Sequence, residues 1–430
     1  MRGKVFLPGD KSIAHRAIIL SALAKAKTNL KNIPLNTDCL ATIAVFRKLG
    51  VKIKLNKASC RATVSGRGLF GLNAPKGALY IKDSGTTFRL LLGVLAGQDF
   101  KARLMAGPSL SRRPMLRAIK PLRLMGAAIK ARAIKKEEYP PVMIHGGNLN
   151  AINYKIPVPS AQVKSAILLA GLYAKGKTKI IEPLKTRDHT ERMLKLFKAN
   201  LKTQGKSITV SGAKKLISPG ALYIPGDISS AAFFMVAASI IPGAKILIKN
   251  VSLNPGRVGI IKALKRMGAA LKIENSKLKT QGNEPMGDIL VKSSCLRGIK
   301  IGRKEVPSLI DELPILMVAA CFAKGKSIFA GVGELRVKET DRIKSMLVNL
   351  AKMGAKIRVV KSGGQENIII QGAKVLYSAR VSSFGDHRTA MSMVIAGLAA
   401  RGKTRIDDIS CINKSFPGFL TTLKSLNIYK

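Results

Sequence analysis

Two kinds of apolar pattern alternate along the chain. In the first, a run is apolar nearly all round: AIILSALA, LLLGVLAG, AILLAGLYA, AAFFMVAASII, ILMVAACFA and SMVIAGLAA. In the second, apolar residues recur at three- and four-residue spacing among lysines and arginines, as in KLFKANLK. Both read as helices, but in different places. A helix apolar on all sides belongs in a core, and a basic amphipathic one belongs outside. Each apolar run leads into a turn and a strand-like stretch, as in LYAKGKTKII and CFAKGKSIF, with the turn residue at Ala26, Gly97, Gly176, Gly243, Gly325 and Gly402. The amphipathic runs end at Gly50, Gly126, Asn200, Gly268, Gly354 and Asn427, where Gly or Asn suits a left-handed helix cap.

The alternation makes the chain six copies of one unit. A period of about 70–80 residues is too long for a solenoid repeat and suits a small α/β module with two helices. Each apolar helix opens on a polar cluster: GDKSIAHR, KDSGTTFR, PSAQVKS, GDISS, IDELP and FGDHR. Helix starts carry free N–H groups and partial positive charge, so several gathered together form an anion trap. Pro8-Gly9-Asp10 recurs as Pro225-Gly226-Asp227, three units on. The expectation is an α/β fold of two domains with three repeats each, one of residues 10–226 and one of residues 1–9 with 227–430. A paired crossover would join them, with the polar helix ends facing a cleft that closes by a hinge around a ligand.

Composition narrows the function. The 430-residue chain is 47% hydrophobic, enough for real cores, and its formal net charge is +52. Such a field attracts anions. The basic residues are nonetheless dispersed, aromatics are 5% and Trp is absent, so a nucleic-acid stacking surface is not expected. Cys39, Cys60, Cys295, Cys321 and Cys411 lie far apart without metal-like spacing, which fits a reducing cytosol. With no apolar run of about 18 residues and no signal-peptide core at the start, a soluble cytoplasmic monomer is expected.

Several motifs carry chemistry. Gly171 to Thr178 match G-x-x-x-x-G-K-[ST], but a helix precedes and a strand follows, the reverse of a nucleotide-binding loop. Lys11, Ser12 and Arg16 sit in the first turns of an apolar helix, where cations need an anionic partner. In Arg336-Val337-Lys338-Glu339-Thr340-Asp341-Arg342, Lys338 and Arg342 would share a helix face, with Glu339 beside them to move a proton. Taken alone, that run reads as a solvated charge cluster. Asp311-Glu312 suits either a cap or acid–base work. His145 reads as an ordinary polar contact, while His189 and His387 lie in charged clusters and are candidates to tune neighbours or touch substrate.

Taken in order, LPGDKSIAHR, DSGTTFRLLLG, SLSRRPM, PSAQVKSAILLAGL, TRDHTERML, PGDISSAAFF, IDELPILMVAA, ELRVKETDRI, GDHRTAMS and NKSFPGF span nearly the whole chain. They resemble the enolpyruvyl transferases, in particular the branch acting on shikimate 3-phosphate. The resemblance implies an inside-out α/β barrel fold, βαβαββ units with buried helices surrounded by sheets, and no metal or organic cofactor. It implies transfer of the enolpyruvyl group of phosphoenolpyruvate to the 5-hydroxyl of shikimate 3-phosphate through a tetrahedral intermediate. By the same resemblance, Lys11, Gly85, Arg113, Gln162 and Lys414 would hold the phosphoenolpyruvate phosphate, and Arg342 and Arg388 its carboxylate. Lys11, Ser12, Arg16, Ser160, Ala161, Gln162, Thr186, Arg187, Asp311 and Lys338 would surround shikimate 3-phosphate. Glu339 would donate the proton, Asp311 would orient or deprotonate the hydroxyl, and Lys11 would assist.

The chain departs from the family pattern at three positions. Asp83 stands where Asn is usual, adding a carboxylate near the phosphate pocket, and Ala14 and Ala161 each replace a Ser. The sister transferase that acts on UDP-N-acetylglucosamine carries a mobile Cys loop, and the comparable segment from Met105 to Met115 has no Cys.

Overall fold

The computed structural model describes residues 1–274, 283–373 and 375–427. The two helix patterns separate as their polarity requires. The apolar runs form α1 (Lys11–Leu23), α3 (Gly85–Leu95), α5 (Ala161–Gly171), α7 (Ile228–Ile240), α9 (Leu313–Cys321) and α11 (His387–Ala399). In α7 every residue from Ile228 to Ser239 is buried, and α9 is buried throughout. The amphipathic runs form α2 (Thr37–Lys48), α4 (Leu116–Leu124), α6 (His189–Leu196), α8 (Gly259–Arg266), α10 (Arg342–Lys352) and α12 (Phe419–Lys424). Helix α8 buries Ile260, Ile261, Ala263 and Leu264 and turns Lys262, Lys265 and Arg266 outward, the one-sided stripe of a surface helix.

Buried helix starts need partners for their first N–H groups, and short polar side chains supply them. Asp10 accepts from Ile13 N, Ser84 from Thr87 N, Ser160 from Val163 N, Asp227 from Ser229 N, and Asp386 from both Arg388 N and Thr389 N. Helix α9 has no such side-chain cap. Behind the amphipathic helices, Gly50, Gly126, Gly268 and Gly354 take the left-handed conformation expected of them. Asn200 does not. After α6 the left-handed residue is Lys198, at φ 61°. It follows the C-cap Phe197 directly and lets Ala199 N reach Leu194 O at 2.9 Å, so the position next to the helix end sets the conformation and not the favoured residue type.

The strands repeat with the helices. The strand leaving a buried helix pairs in parallel with a short strand on one side and antiparallel with a hairpin on the other. Thus Lys177–Ile181 pairs with Asn153–Lys155 and with Ser207–Ser211, which in turn pairs with Leu201–Gln204. Helix α5 ends just before this strand begins, so the nucleotide-loop reading of Gly171–Thr178 has no support. The sixth set is reduced to Arg380–Val381 beside Arg405–Ile406 among the described residues. The first and fourth sheets exchange their short strands: Arg2–Phe6 pairs with Lys245–Ser252, and Ala221–Tyr223 with Lys27–Lys31.

Two units result. One runs from Gly9 to Ile224 and includes the short stretch ending at Glu284; the other takes Met1–Pro8 and the remainder from Pro225. In the first, inward residues of the sheets such as Ile53, Val64, Leu104, Ile144, Ile180 and Val210 close over α1, α3 and α5. In the second, α7, α9 and α11 pack on one another beneath Ile248, Ile289, Phe329 and Ile370, and Phe233, Phe234, Phe416 and Phe419 meet in tilted and edge-on contacts. Helices inside and sheets outside is the inverse of the common α/β layering. Among the described residues, no helix is long and apolar enough to cross a membrane.

Candidate active site

The candidate residues fall into two clusters, one in each unit. In the first unit, Lys11 begins α1 and its Nζ lies 3.0 Å from Asp38 Oδ2. Arg16, one turn later, is 4% exposed. It donates to the carbonyl of Ser12 at 2.8 Å, to Thr190 Oγ1 at 2.6 Å and to Ser165 Oγ at 2.7 Å. Burial pulls the Arg16 guanidinium down to about 10, well below its ordinary value, against the opposing field of Glu191. His15 extends a chain of buried hydroxyls, with Nδ1 2.7 Å from Thr42 Oγ1, which is 2.7 Å from Thr87 Oγ1, itself 2.6 Å from Ser84 Oγ. The starts of α1, α2 and α3 are thereby cross-linked.

Gly85 opens α3 at a close approach. A Cβ there would stand 2.9 Å from Arg89 Nη1 and 3.0 Å from Arg113 Nη1, so Gly lets both guanidinium groups reach the helix start. Arg89 Nη1 also donates to Gln162 Oε1 at 2.8 Å, and Gln162 Nε2 to Thr86 Oγ1 at 3.0 Å. Gly85, Arg113 and Gln162 are thus gathered around Arg89. Ser160 caps α5 and Ala161 begins it. Asp83 Oδ1 accepts from Leu110 N at 2.9 Å, so the added carboxylate has a local partner in the turn that precedes Arg113. Thr186 and Arg187 lie on the loop between the strand Lys177–Ile181 and α6, where Thr186 Oγ1 donates to Glu182 Oε1 at 2.5 Å.

The second cluster centres on Arg342, the first residue of α10 and 1% exposed. Its Nε donates to Asp386 Oδ2 at 2.9 Å and its Nη2 to Glu339 Oε2 at 2.5 Å, while Nη1 lies 3.6 Å from Asp311 Oδ1. Burial alone would lower this guanidinium, but Asp386, Glu339 and Asp311 more than offset it and hold the group above its ordinary value. Arg388 donates to the carbonyl of Asp311 at 2.8 Å, with Nε 3.9 Å from Asp311 Oδ1. Lys414 Nζ reaches the Gly385 carbonyl at 3.4 Å. The half-buried Lys338 ammonium is lowered by burial, with Asp311 and Glu334 acting in the opposite direction.

Lys338 and Arg342 do not share a helix face. Asp341 caps α10 by accepting from Lys344 N at 3.0 Å, so the helix begins at Arg342 and Lys338 stays outside it as extended backbone. Arg336 and Asp341 join Glu366 in a surface network, with Arg336 Nη1 2.6 Å from Asp341 Oδ2 and Arg336 Nε 2.7 Å from Glu366 Oε2. Asp311 and Glu312 divide their roles. Glu312 is 0% exposed and accepts from Ser229 Oγ, and Asp311 turns to the arginines. His189 Nδ1 lies 2.7 Å from Glu284 Oε1, both buried, which gives it an internal partner. Among the described residues, no group of three His, Cys, Asp or Glu side chains is placed to hold a metal ion.

Reading the sequence missed Arg89, Asp38 and Asp386. Arg89 carried a signal, being four residues after Gly85 on one helix and so on its face. Asp386 showed only as a residue of helix-capping type, and nothing local marked Asp38.

Sheets wrapped around buried helices, with cations gathered at the helix starts, make a scaffold suited to binding anions. The comparisons with known proteins agree over the full length. Residues 1–423 match the model of the EPSP synthase (3-phosphoshikimate 1-carboxyvinyltransferase) family, and the chain belongs to that family. It is 46% identical to the 3-phosphoshikimate 1-carboxyvinyltransferase of Shouchella clausii (strain KSM-K16), with 99% of this chain and 96% of that one covered. Its relative of the same name from Desulforamulus reducens is 45% identical, with 99% and 97% covered. Among solved structures, an EPSP synthase from Acinetobacter baumannii superposes with a TM-score of 0.86 at 43% identity, covering 99% of this chain and 95% of that one.

Proposed function

We propose that this chain transfers the enolpyruvyl group of phosphoenolpyruvate to shikimate 3-phosphate and releases phosphate, a step toward the aromatic amino acids. The observation that carries this reading is the arrangement around Arg342, where one buried guanidinium holds both Glu339 and Asp311 within 3.6 Å. An acid and a base are thereby kept beside a cation suited to a carboxylate.

In this reading, Arg342 and Arg388 take the carboxylate of phosphoenolpyruvate, and Lys11, Arg113, Gln162, Lys414 and the Gly85 backbone take its phosphate. Ser12, Arg16, Ser160, Ala161, Thr186, Arg187 and Lys338 receive the acceptor. Glu339 protonates the alkene methylene while the 5-hydroxyl oxygen bonds to the neighbouring carbon and gives its proton to Asp311, with Lys11 assisting. The tetrahedral adduct then loses phosphate and one methyl proton, which restores the alkene. Both substrates are polyanions that repel each other, so cations are needed to bring them together. Positioning of this kind is worth about 7–11 kcal/mol.

The test is phosphate release from phosphoenolpyruvate with shikimate 3-phosphate as acceptor. Turnover with that acceptor, and none with UDP-N-acetylglucosamine, is expected. Release with the nucleotide sugar alone would overturn the reading.

A further inference from the structure

Lys164 lies on α5 two residues after Gln162, and its side chain is 0% exposed. Its Nζ stands 3.1 Å from Glu182 Oε2 and 2.6 Å from Glu191 Oε1, and those carboxylates are 4% and 6% exposed. The two acids bracket one segment of chain. Glu182 directly follows the strand Lys177–Ile181, and Glu191 sits in the first turn of α6. The other oxygen of Glu182 accepts from Thr186 N at 3.2 Å and from Thr186 Oγ1 at 2.5 Å. One buried ammonium therefore ties the first turn of α5 to both ends of the loop that carries Thr186 and Arg187. A second stitch runs beside it, with Ser165 Oγ 2.6 Å from Thr190 Oγ1 and both bonded to Arg16.

We infer that Lys164 is a positioning residue for the acceptor, holding Thr186 and Arg187 in register with Ser160 and Ala161 through Glu182 and Glu191. A methionine would fill the same core space without desolvating three charges, and ion groups of this kind are poor sources of stability. What the triad supplies is fixed geometry. Burial drives the Glu191 carboxyl upward, and the Lys164 ammonium acts against that rise. Hydrogen-bonding groups aimed at a phosphate lose much of their effect when displaced by about 1 Å. Ser160, Ala161, Thr186 and Arg187 all stand on the acceptor side of the proposed reaction, so the larger effect falls on that substrate. This inference rests on the acceptor-side assignment of the proposed function.

The experiment compares steady-state kinetics of the full chain with its Lys164→Met and Lys164→Arg variants, alongside their thermal midpoints. In Lys164→Met, KM for shikimate 3-phosphate should rise about ten-fold or more. KM for phosphoenolpyruvate should stay within about two-fold, and kcat at saturation within about three-fold. Lys164→Arg, which can still bond both carboxylates, should recover part of the lost affinity. An unchanged acceptor KM, or an equal rise in both KM values, would overturn the inference. Should the Met variant fail to fold, Glu182→Gln keeps the volume and weakens the tie, and an unaltered acceptor KM there is equally decisive against it. A wild-type chain that releases no phosphate from the substrate pair would defeat the proposed function itself. An active wild type with an unaffected variant defeats only the role of Lys164.

Discussion

Asp386 holds Arg342 and the start of α11 with the same carboxylate. Its Oδ1 accepts from Arg388 N at 2.7 Å and from Thr389 N at 3.2 Å, and its Oδ2 accepts from Arg342 Nε at 2.9 Å. Both side chains are buried. The helix cap and the cation site are therefore one structure, and the two arginines proposed to hold the substrate carboxylate are placed by a single acid.

Asp386→Ala should be costly to the fold as well as to function. It strips a buried arginine of its fully buried carboxylate partner and α11 of its cap, and breaking a buried pair costs about 3–5 kcal/mol. Urea unfolding monitored by circular dichroism measures this. A loss under about 1 kcal/mol, the value of an ordinary cap, would show that Asp386 does not bear on Arg342.

Arg342→Lys keeps the charge but loses the planar fork that reaches Asp386 and Glu339 together. The expected result is a fall of about 100-fold in kcat/KM for phosphoenolpyruvate, while the Kd for shikimate 3-phosphate alone changes by less than about three-fold. Equal losses toward both substrates would contradict the carboxylate assignment.

Glu339→Gln keeps the side chain's size but removes the acidic proton and the negative charge facing Arg342. The variant should bind both substrates yet turn over about 100- to 10,000-fold more slowly, the range for loss of a general acid. Calorimetric titration gives the binding and phosphate release gives the rate. Full activity would assign the proton to another group.

His15 makes stability depend on pH in a defined direction. Burial, reinforced by Lys11 and Arg16 and only partly opposed by Asp10, holds its imidazole well below the ordinary 6.5. The unfolded chain takes up a proton at this residue as pH falls through about 6.5 and the folded chain does not. Its contribution is complete above that value and declines on acidification, by up to about 1.4 kcal/mol per pH unit. Urea midpoints between pH 7.5 and 5.5 should fall less steeply for His15→Gln than for the wild type. Parallel slopes would remove His15 as the source.

The charge excess should show in rates. Lysines occupy the outward positions of the strands, as Lys52 and Lys54 do around the buried Ile53 and Lys177 and Lys179 around Thr178. On edge strands such residues discourage pairing with other chains. They also raise the concentration of anions near the surface, an effect that salt screens over about 10 Å at 0.1 M. Accordingly, kcat/KM for both substrates should fall several-fold as ionic strength rises from about 0.05 M to 0.5 M. A flat profile would reduce the charge to background composition.

Much of this architecture could be read without coordinates because its causes are local. An apolar run such as AAFFMVAASI has no face to offer water, and an amphipathic one such as GIIKALKR has a single stripe, so each declares its side of the sheet. Asp10, Ser84, Ser160 and Asp227 announce helix starts by residue type, since a short acceptor next to an apolar run satisfies the orphan N–H groups. The candidate substrate contacts, from Lys11 to Lys414, could be named from ordered motifs. The cap at Lys198 could not, because a left-handed residue other than Gly or Asn is dictated by where the helix ends.

Tertiary structure alone chose the partners of the charges. Lys11 meets Asp38, Lys164 meets Glu182 and Glu191, Arg16 meets Thr190, and Arg342 meets Asp386. Those pairs lie on different helices or loops, separated in the chain by 27 residues for Lys11 and by 174 for Arg16. Hydrophobic periodicity reports only whether a face is buried. It does not say which cation and which carboxylate share the same few ångströms, and in a buried setting that proximity decides whether a charge is costly, structural or chemically useful. The sequence by itself therefore determined the repeats, the burial of six helices and the polar starts that crown them. Packing determined which of those polar residues became a site.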